Sequence, residues 1–115
     1  MKVIIAGSRE GFEIADVFVA MRDSGFCVTE VVSGTARGVD RLGESWANAN
    51  QVPIKRFPAN WDEYGKSAGY RRNVEMADYA DALVALWDGK SKGTKHMIDL
   101  AGNKGMPVYI HRKER

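Results

Sequence analysis

The 115-residue chain predicts a Rossmann-like three-layer α/β sandwich on a five-stranded, mainly parallel sheet, with one domain over residues 1–115. Three observations lead there. Five short apolar runs alternate with helical patterns along the chain, and such alternation favours a parallel sheet with right-handed crossovers. The first, second and fourth runs are nearly continuous in Val, Ile, Leu and Ala, as strands covered on both faces are. Gly7-Ser8-Arg9, Ser33-Gly34-Thr35-Ala36-Arg37-Gly38 and Ser91-Lys92-Gly93-Thr94 each follow an apolar run and open a helical one. In an open parallel sheet such turns gather at the carboxyl edge, where helix N-termini point.

Taken in order, the strands are expected over 2–6, 27–32, 53–57, 82–87 and 107–110. Ile14, Phe18 and Met21 mark the stripe of a first helix that stops at Gly25, a C-terminal signal. Val39, Leu42, Trp46 and Ala49 recur at helical spacing and place Trp46 in the core. Residues 72–79 and 94–104 supply two more helices, the last closing before Gly105 and Pro107. Residues 58–68, with Trp61, Tyr64 and Gly65, are too long for a plain connection. Structureless loops of that length line a site or cover one.

Composition bounds the function. The chain is 44% hydrophobic and 28% charged, with a net charge of +2, an ordinary globular balance. So mild an excess does not argue for a nucleic-acid partner, and part of it falls in His111-Arg112-Lys113-Glu114-Arg115, which reads as a solvated tail. The single Cys27 excludes an internal disulfide and reads as a buried, inert thiol. The opening apolar run is far too short for a signal peptide or a membrane span, so a cytoplasmic location and no membrane partner are expected. His96 and His111 do not form a metal pair and no H-E-x-x-H motif is present. No metal is expected, and no cofactor is required.

Two well-known phosphate motifs are absent. A dinucleotide fingerprint needs G-x-G-x-x-G after the first strand and an acid about 20 residues on. The chain offers Gly7-Ser8-Arg9-Glu10-Gly11, and its second strand runs into Ser33-Gly34. Gly89-Lys90-Ser91 resembles the end of a Walker loop, but the first glycine such a loop requires falls on Val84.

What remains is a set of phosphate-suited turns. Gly7-Ser8-Arg9 is short, and by itself is either a tight turn or a ligand contact. Ser33, Gly34, Thr35, Ala36 and Gly38 are small enough to let backbone amides approach a ligand, and Arg37 can reach phosphate in a bidentate fashion. Asp40 accepts from a ribose hydroxyl or caps its helix. Arg71, Arg72 and Asn73 stand at a predicted helix start, where cations oppose the dipole. A compensating anion is therefore required, either a ligand or a side chain such as Glu75 or Asp88. Ser91, Gly93 and Thr94 open the last helix, Thr94 as an N-cap or a phosphate contact. Trp61 and Tyr64 are placed to stack on a base, with core packing the alternative for Trp61. A nucleotide-type ligand follows from the set.

The same residues carry a family resemblance over nearly the whole chain. Ile4-Ile5-Ala6-Gly7-Ser8-Arg9, Val32 through Asp40, Phe57-Pro58-Ala59-Asn60-Trp61, Tyr64 through Gly69 with Arg72-Asn73, and Ala80 through Gly89 with Ser91-Lys92-Gly93-Thr94 resemble the YspA-like branch of the SLOG superfamily. That branch is bacterial or phage-borne, and the superfamily implies a Rossmann-like fold that binds nucleotides or nucleotide-derived ligands. The DprA DNA-processing proteins, which bind single-stranded DNA, have a similar Ser-Gly-x-Ala-Arg-Gly-x-Asp loop, matched by Ser33 to Asp40, and an Arg-Asn pair matched by Arg72-Asn73. The LOG phosphoribohydrolases resemble the stretch from Arg72 to Thr94. Their catalytic Glu falls where this chain reads Lys95-His96-Met97, and Met97 cannot stabilise an oxocarbenium-like transition state.

Three functions follow from the resemblance: a nucleotide binder, a nucleotide N-glycosidase or phosphoribohydrolase using Glu75 or Asp88, and a single-strand DNA binder. The first fits the turns and the charge best. Relatives suggest a homodimer, with spare Trp and Met to bury against a second copy.

Overall fold

The computed structural model describes residues 1–113. Strands β1 (Lys2–Gly7), β2 (Glu30–Ser33), β3 (Ile54–Arg56), β4 (Ala82–Trp87) and β5 (Val108–Arg112) form one sheet in the order β3-β2-β1-β4-β5. Every pairing is parallel, with Ile4 opposite both Val32 and Leu83. Alternate side chains of the central strands therefore enter two separate cores. Val3, Ile5, Val31, Val84 and Leu86 pack with helices α1 (Ile14–Ser24) and α2 (Val39–Ala49). Ile4, Ala6, Val32, Leu83 and Ala85 pack with α4 (Ala68–Tyr79) and α5 (Lys92–Asn103). The sandwich is the α/β class expected, and its sheet is wholly parallel. None of the described helices is long and apolar enough to cross a membrane.

Several elements differ from the periodicity. Strand β2 starts at Glu30, not at residue 27. Before that point the backbone bonds with Met1, the residue ahead of β1: Thr29 N–H donates to Met1 O at 2.9 Å, and the Met1 amine donates to Cys27 O at 2.8 Å. Cys27 consequently lies at the surface and is exposed, not buried. Strand β5 runs on through His111 and Arg112, because β4 extends far enough to pair Leu86 with His111 and Trp87 with Arg112. The Arg112 guanidinium lies 5.4 Å from the Trp87 ring centroid, and Lys113 Nζ reaches Asp16 at 3.2 Å. These residues belong to the sheet edge and not to a solvated tail; Glu114 and Arg115 lie outside the described residues.

Two helical stripes are rotated from the expected ones. Val17, Ala20 and Met21 bury in α1, while Ile14 and Phe18 are exposed. In α2 the buried positions are Val39, Asp40, Gly43 and Ala47. A methyl on Gly43 would lie 2.8 Å from Ile5 Cβ, so small residues bring α2 close against the sheet. Leu42 and Trp46 are displaced to its flanks, half-buried, and Ala49 faces solvent.

Residues 58–68 are not a structureless loop. They hold a one-turn helix α3 (Trp61–Tyr64), started by Asn60 Oδ1 accepting from Glu63 N–H at 3.1 Å, and a 3-10 turn (Gly65–Ser67) that runs straight into α4. Helix α4 thus begins at Ala68, earlier than its apolar stripe indicated.

Candidate functional site

The strand order reverses between β1 and β4, which is where an open α/β sheet leaves a crevice beyond its carboxyl ends. A cleft of about 570 Å³ lies there, a volume suited to a small molecule. From the end of β1 it takes Gly7, Ser8 and Arg9; from the β2–α2 loop, Ala36, Arg37 and Asp40; from α3 and α4, Trp61, Arg72 and Asn73; from β4 and the start of α5, Asp88, Ser91, Gly93 and Thr94. A second lobe of about 440 Å³ shares Arg9, Ala36, Arg37, Trp61 and Arg72 with the first and adds Gly34 and Thr35. Three arginines from separate elements therefore border one cavity system.

Ser8 is a knot. Its N–H donates to Leu86 O at 3.1 Å, its carbonyl accepts from Val39 N–H at 3.2 Å, and its hydroxyl accepts from Asp88 N–H at 3.2 Å. It ties the β4–α5 turn and the start of α2 to the end of β1. The β2–α2 loop is held from within by Ser33, whose hydroxyl donates to Glu44 Oε2 at 2.7 Å and accepts from Thr35 N–H at 3.1 Å. Ser33 is fully buried and does not line the cleft. Thr35 holds a φ of 64°, an uncommon region for a β-branched residue and a mark of local strain. Gly38 has φ 82°, and a methyl there would lie 2.5 Å from the Arg9 backbone, so only glycine lets the two loops touch.

Asp40 neither caps its helix nor faces open water. Its Oδ2 accepts from Ala36 N–H at 3.1 Å, and the residue is 6% exposed. Burial pushes its carboxyl up to about 6, against the opposing pull of the Arg72 guanidinium and the Ala36 amide. Arg72 is itself part-buried, and its Nη1 donates to Gly34 O while Nε donates to Asn73 Oδ1 at 3.1 Å. Burial lowers the Arg72 guanidinium from its ordinary value, with Asp40 acting the other way. The arginine pair does not sit at a helix start: α4 begins earlier, and Arg72 falls in its second turn. Its compensating carboxylate is Asp40, not Glu75 or Asp88. Arg71 lies outside the cleft, over the Tyr64 ring at 4.3 Å.

Asn73 is buried and bridges two helices. Its Nδ2 donates to Gly93 O at 3.2 Å and lies 3.1 Å from His96 Nδ1, on which the Tyr70 ring packs edge-on. Burial lowers the His96 imidazole from its ordinary value. At the first turn of α5, Thr94 is buried with its hydroxyl 3.1 Å from that of Ser91, and the N-cap residue Ser91 places no side-chain cap on the helix. The amides of a first turn point out of a helix end. Asp88 Oδ1 accepts from both Lys90 N–H and Ser91 N–H at 2.8 Å, and those amides hold its carboxyl below the usual range.

The remaining expected residues divide. Trp61 lines both lobes, is 52% exposed and covers Gly69, so it is not a core residue. Tyr64 lies beneath Arg71 and does not border the cleft. Glu75 is exposed on α4 and is not brought to the cleft. Glu10, Lys66, Tyr70, Met76 and Met97 also border the cavity, none of them expected. Glu10 was discoverable, since it directly follows Arg9; its carboxylate meets Arg37 at 3.4 Å. Among the described residues no three His, Cys, Asp or Glu side chains gather as a metal site.

Fold and cleft together define a parallel, doubly wound α/β domain with an arginine-rimmed crevice at its switch point. The chain belongs to the YspA, cpYpsA-related SLOG family, whose model matches residues 1–64 and so takes in the β1 and β2 turns. It is 35% identical over 117 residues to the Gene 61 protein of Mycobacterium phage D29, with 93% of each chain covered. No solved structure matches it. Membership of a SLOG family suggests a nucleotide-related binding domain.

Proposed function

We propose that the protein binds a nucleotide or nucleotide-derived ligand, gripping its phosphate at the carboxyl edge of the sheet. The observation that carries this reading is the meeting of Arg9, Arg37 and Arg72, from three different elements, on one cleft beside the N-terminus of α5. Guanidinium forks and outward-pointing first-turn amides are complementary to phosphate oxygens. Trp61 at the rim offers a ring face to a base. A compact cleft, in place of an extended basic stripe, favours a small molecule over a nucleic-acid strand.

Binding without turnover is the better-supported form of the reading. The carboxylates that border the cleft are engaged in holding it together: Asp88 on two loop amides, Asp40 on Ala36 N–H, and Glu10 on Arg37. Glu75 faces away. Calorimetry against mononucleotides, cyclic nucleotides and ADP-ribose-type compounds is the test. At least one is expected to bind in the micromolar range, and Arg72→Ala is expected to weaken it about 100-fold, the scale of a lost charge-assisted hydrogen bond. Millimolar or absent binding across the panel refutes the reading.

A further inference from the structure

Asp40 is out of place in a cradle for anions. It lies on the floor of the cleft, 6% exposed, among the groups that would hold a phosphate. Gly34 lies between it and Arg72: a methyl there would be 2.7 Å from Asp40 Oδ2 and 2.7 Å from Arg72 Nη1, so the two charges face each other across the glycine without a direct hydrogen bond. In this arrangement the carboxylate offsets part of the charge of the part-buried guanidinium. The other charges facing it are Arg9 from the end of β1 and Glu44 from the next turn of α2, itself satisfied by Arg56 of β3 at 2.8 Å and by the Ser33 hydroxyl. Glu10, Arg37, Lys66 and Asp88 border the same cavity from the β1–α1 segment, the β2–α2 loop, the 3-10 turn and the β4–α5 turn.

A phosphate seated on Arg9 and Arg72 would bring negative charge against a buried carboxylate that has one amide donor and a guanidinium it must now share. Two anions at such a site cannot both stay charged cheaply, and the one able to take a proton does so. We propose that Asp40 is the resident counter-charge of the cleft and becomes protonated when a ligand's phosphate takes over the Arg72 charge that faces it. Ligand capture is then coupled to proton uptake and weakens as pH rises. The proposal rests on the phosphate-binding reading above. A neutral Asp40 also becomes a donor, so the protonated carboxyl can hydrogen-bond the incoming oxyanion that its ionised form repels.

The test uses inorganic sulfate, a dianion whose own charge is constant across the relevant pH range. Calorimetry at neutral pH in buffers of different ionisation enthalpy counts protons exchanged per sulfate bound. Uptake approaching one proton is expected in the natural protein, with affinity falling up to about tenfold per pH unit on the alkaline side. No uptake is expected in Asp40→Asn. A carbon-13 label at the Asp40 carboxyl reports the same event without mutation, shifting towards the protonated position as sulfate is added. Sulfate binding with no proton exchange, or with equal uptake in Asp40→Asn, overturns the coupling and leaves the phosphate cradle standing. Failure of sulfate to bind in any way sensitive to Arg72→Ala overturns both.

Discussion

Thr35 and Gly38 occupy the same loop and illustrate opposite uses of the left-handed region. Thr35, at φ 64°, bears a branched side chain where such residues are strained. Thr35→Asn, a residue that tolerates this region, is expected to raise stability by about 1 kcal/mol in urea unfolding. Gly38, at φ 82°, adds a steric demand, because its missing side chain is where the Arg9 backbone passes. Gly38→Ala must separate two backbones and not merely turn a side chain, and a loss of about 2 kcal/mol or more is expected in the same experiment. The sequence made Gly38 visible as part of a small-residue loop, but not its partner. The contact is between chain segments far apart in order, and no local periodicity encodes it. The nearness of Asp40 to Arg72 across Gly34 was hidden for the same reason.

At the scale of elements, α3 and the 3-10 turn differ from the rest of the molecule. They bury no residue of their own, yet Trp61 and Lys66 from this segment border the cleft. Low local burial means a low free energy of opening. Backbone amides of residues 61–67 are expected to exchange with deuterium at least ~100-fold faster than those of β1 and β4, and a ligand that binds under Trp61 should slow them selectively. Equal protection in both regions would show that the segment is anchored as firmly as the sheet. This segment also marks the limit of sequence reading. The long apolar runs of β1 and β4 declared themselves because two-sided burial leaves nothing else for them to be. A one-turn helix is shorter than the repeat that would reveal it. The late start of β2 was equally concealed, since Cys27 and Val28 look like strand residues but the backbone there bonds to Met1, ahead of β1.

Across the whole molecule, stability should respond to pH through two groups of opposite sign, one buried and one half-buried. Asp40 titrates near 6 in the folded protein, above the ordinary 3.8. Between those values the folded state keeps a proton that the unfolded chain releases, so stability falls as pH rises through that window. The full effect is on the order of 3 kcal/mol. His96 is lowered below 6.5 by burial. The unfolded imidazole is protonated first, so its contribution is present above 6.5 and is lost as pH falls. In the natural protein the two slopes partly cancel. Urea unfolding from about pH 4.5 to 7.5 should show a steeper loss with rising pH in His96→Gln, which leaves Asp40 alone, and the reverse slope in Asp40→Asn. The parallel sheet that carries their two helices followed from alternation alone, whereas their titration depends on depth, which composition does not report.

The position of Trp61 has a practical corollary. Of the three indoles, Trp46 projects from α2 half-buried against the core, and Trp87 donates its N–H to Ser91 O at 3.1 Å beneath Arg112. Trp61 stands half in water on the rim. Any molecule that settles against it will strip solvent from the ring and move its emission towards the blue, a signal that Trp61→Phe should abolish. The polypeptide thus brings its own optical gauge of occupancy, readable on unlabelled material in a simple titration.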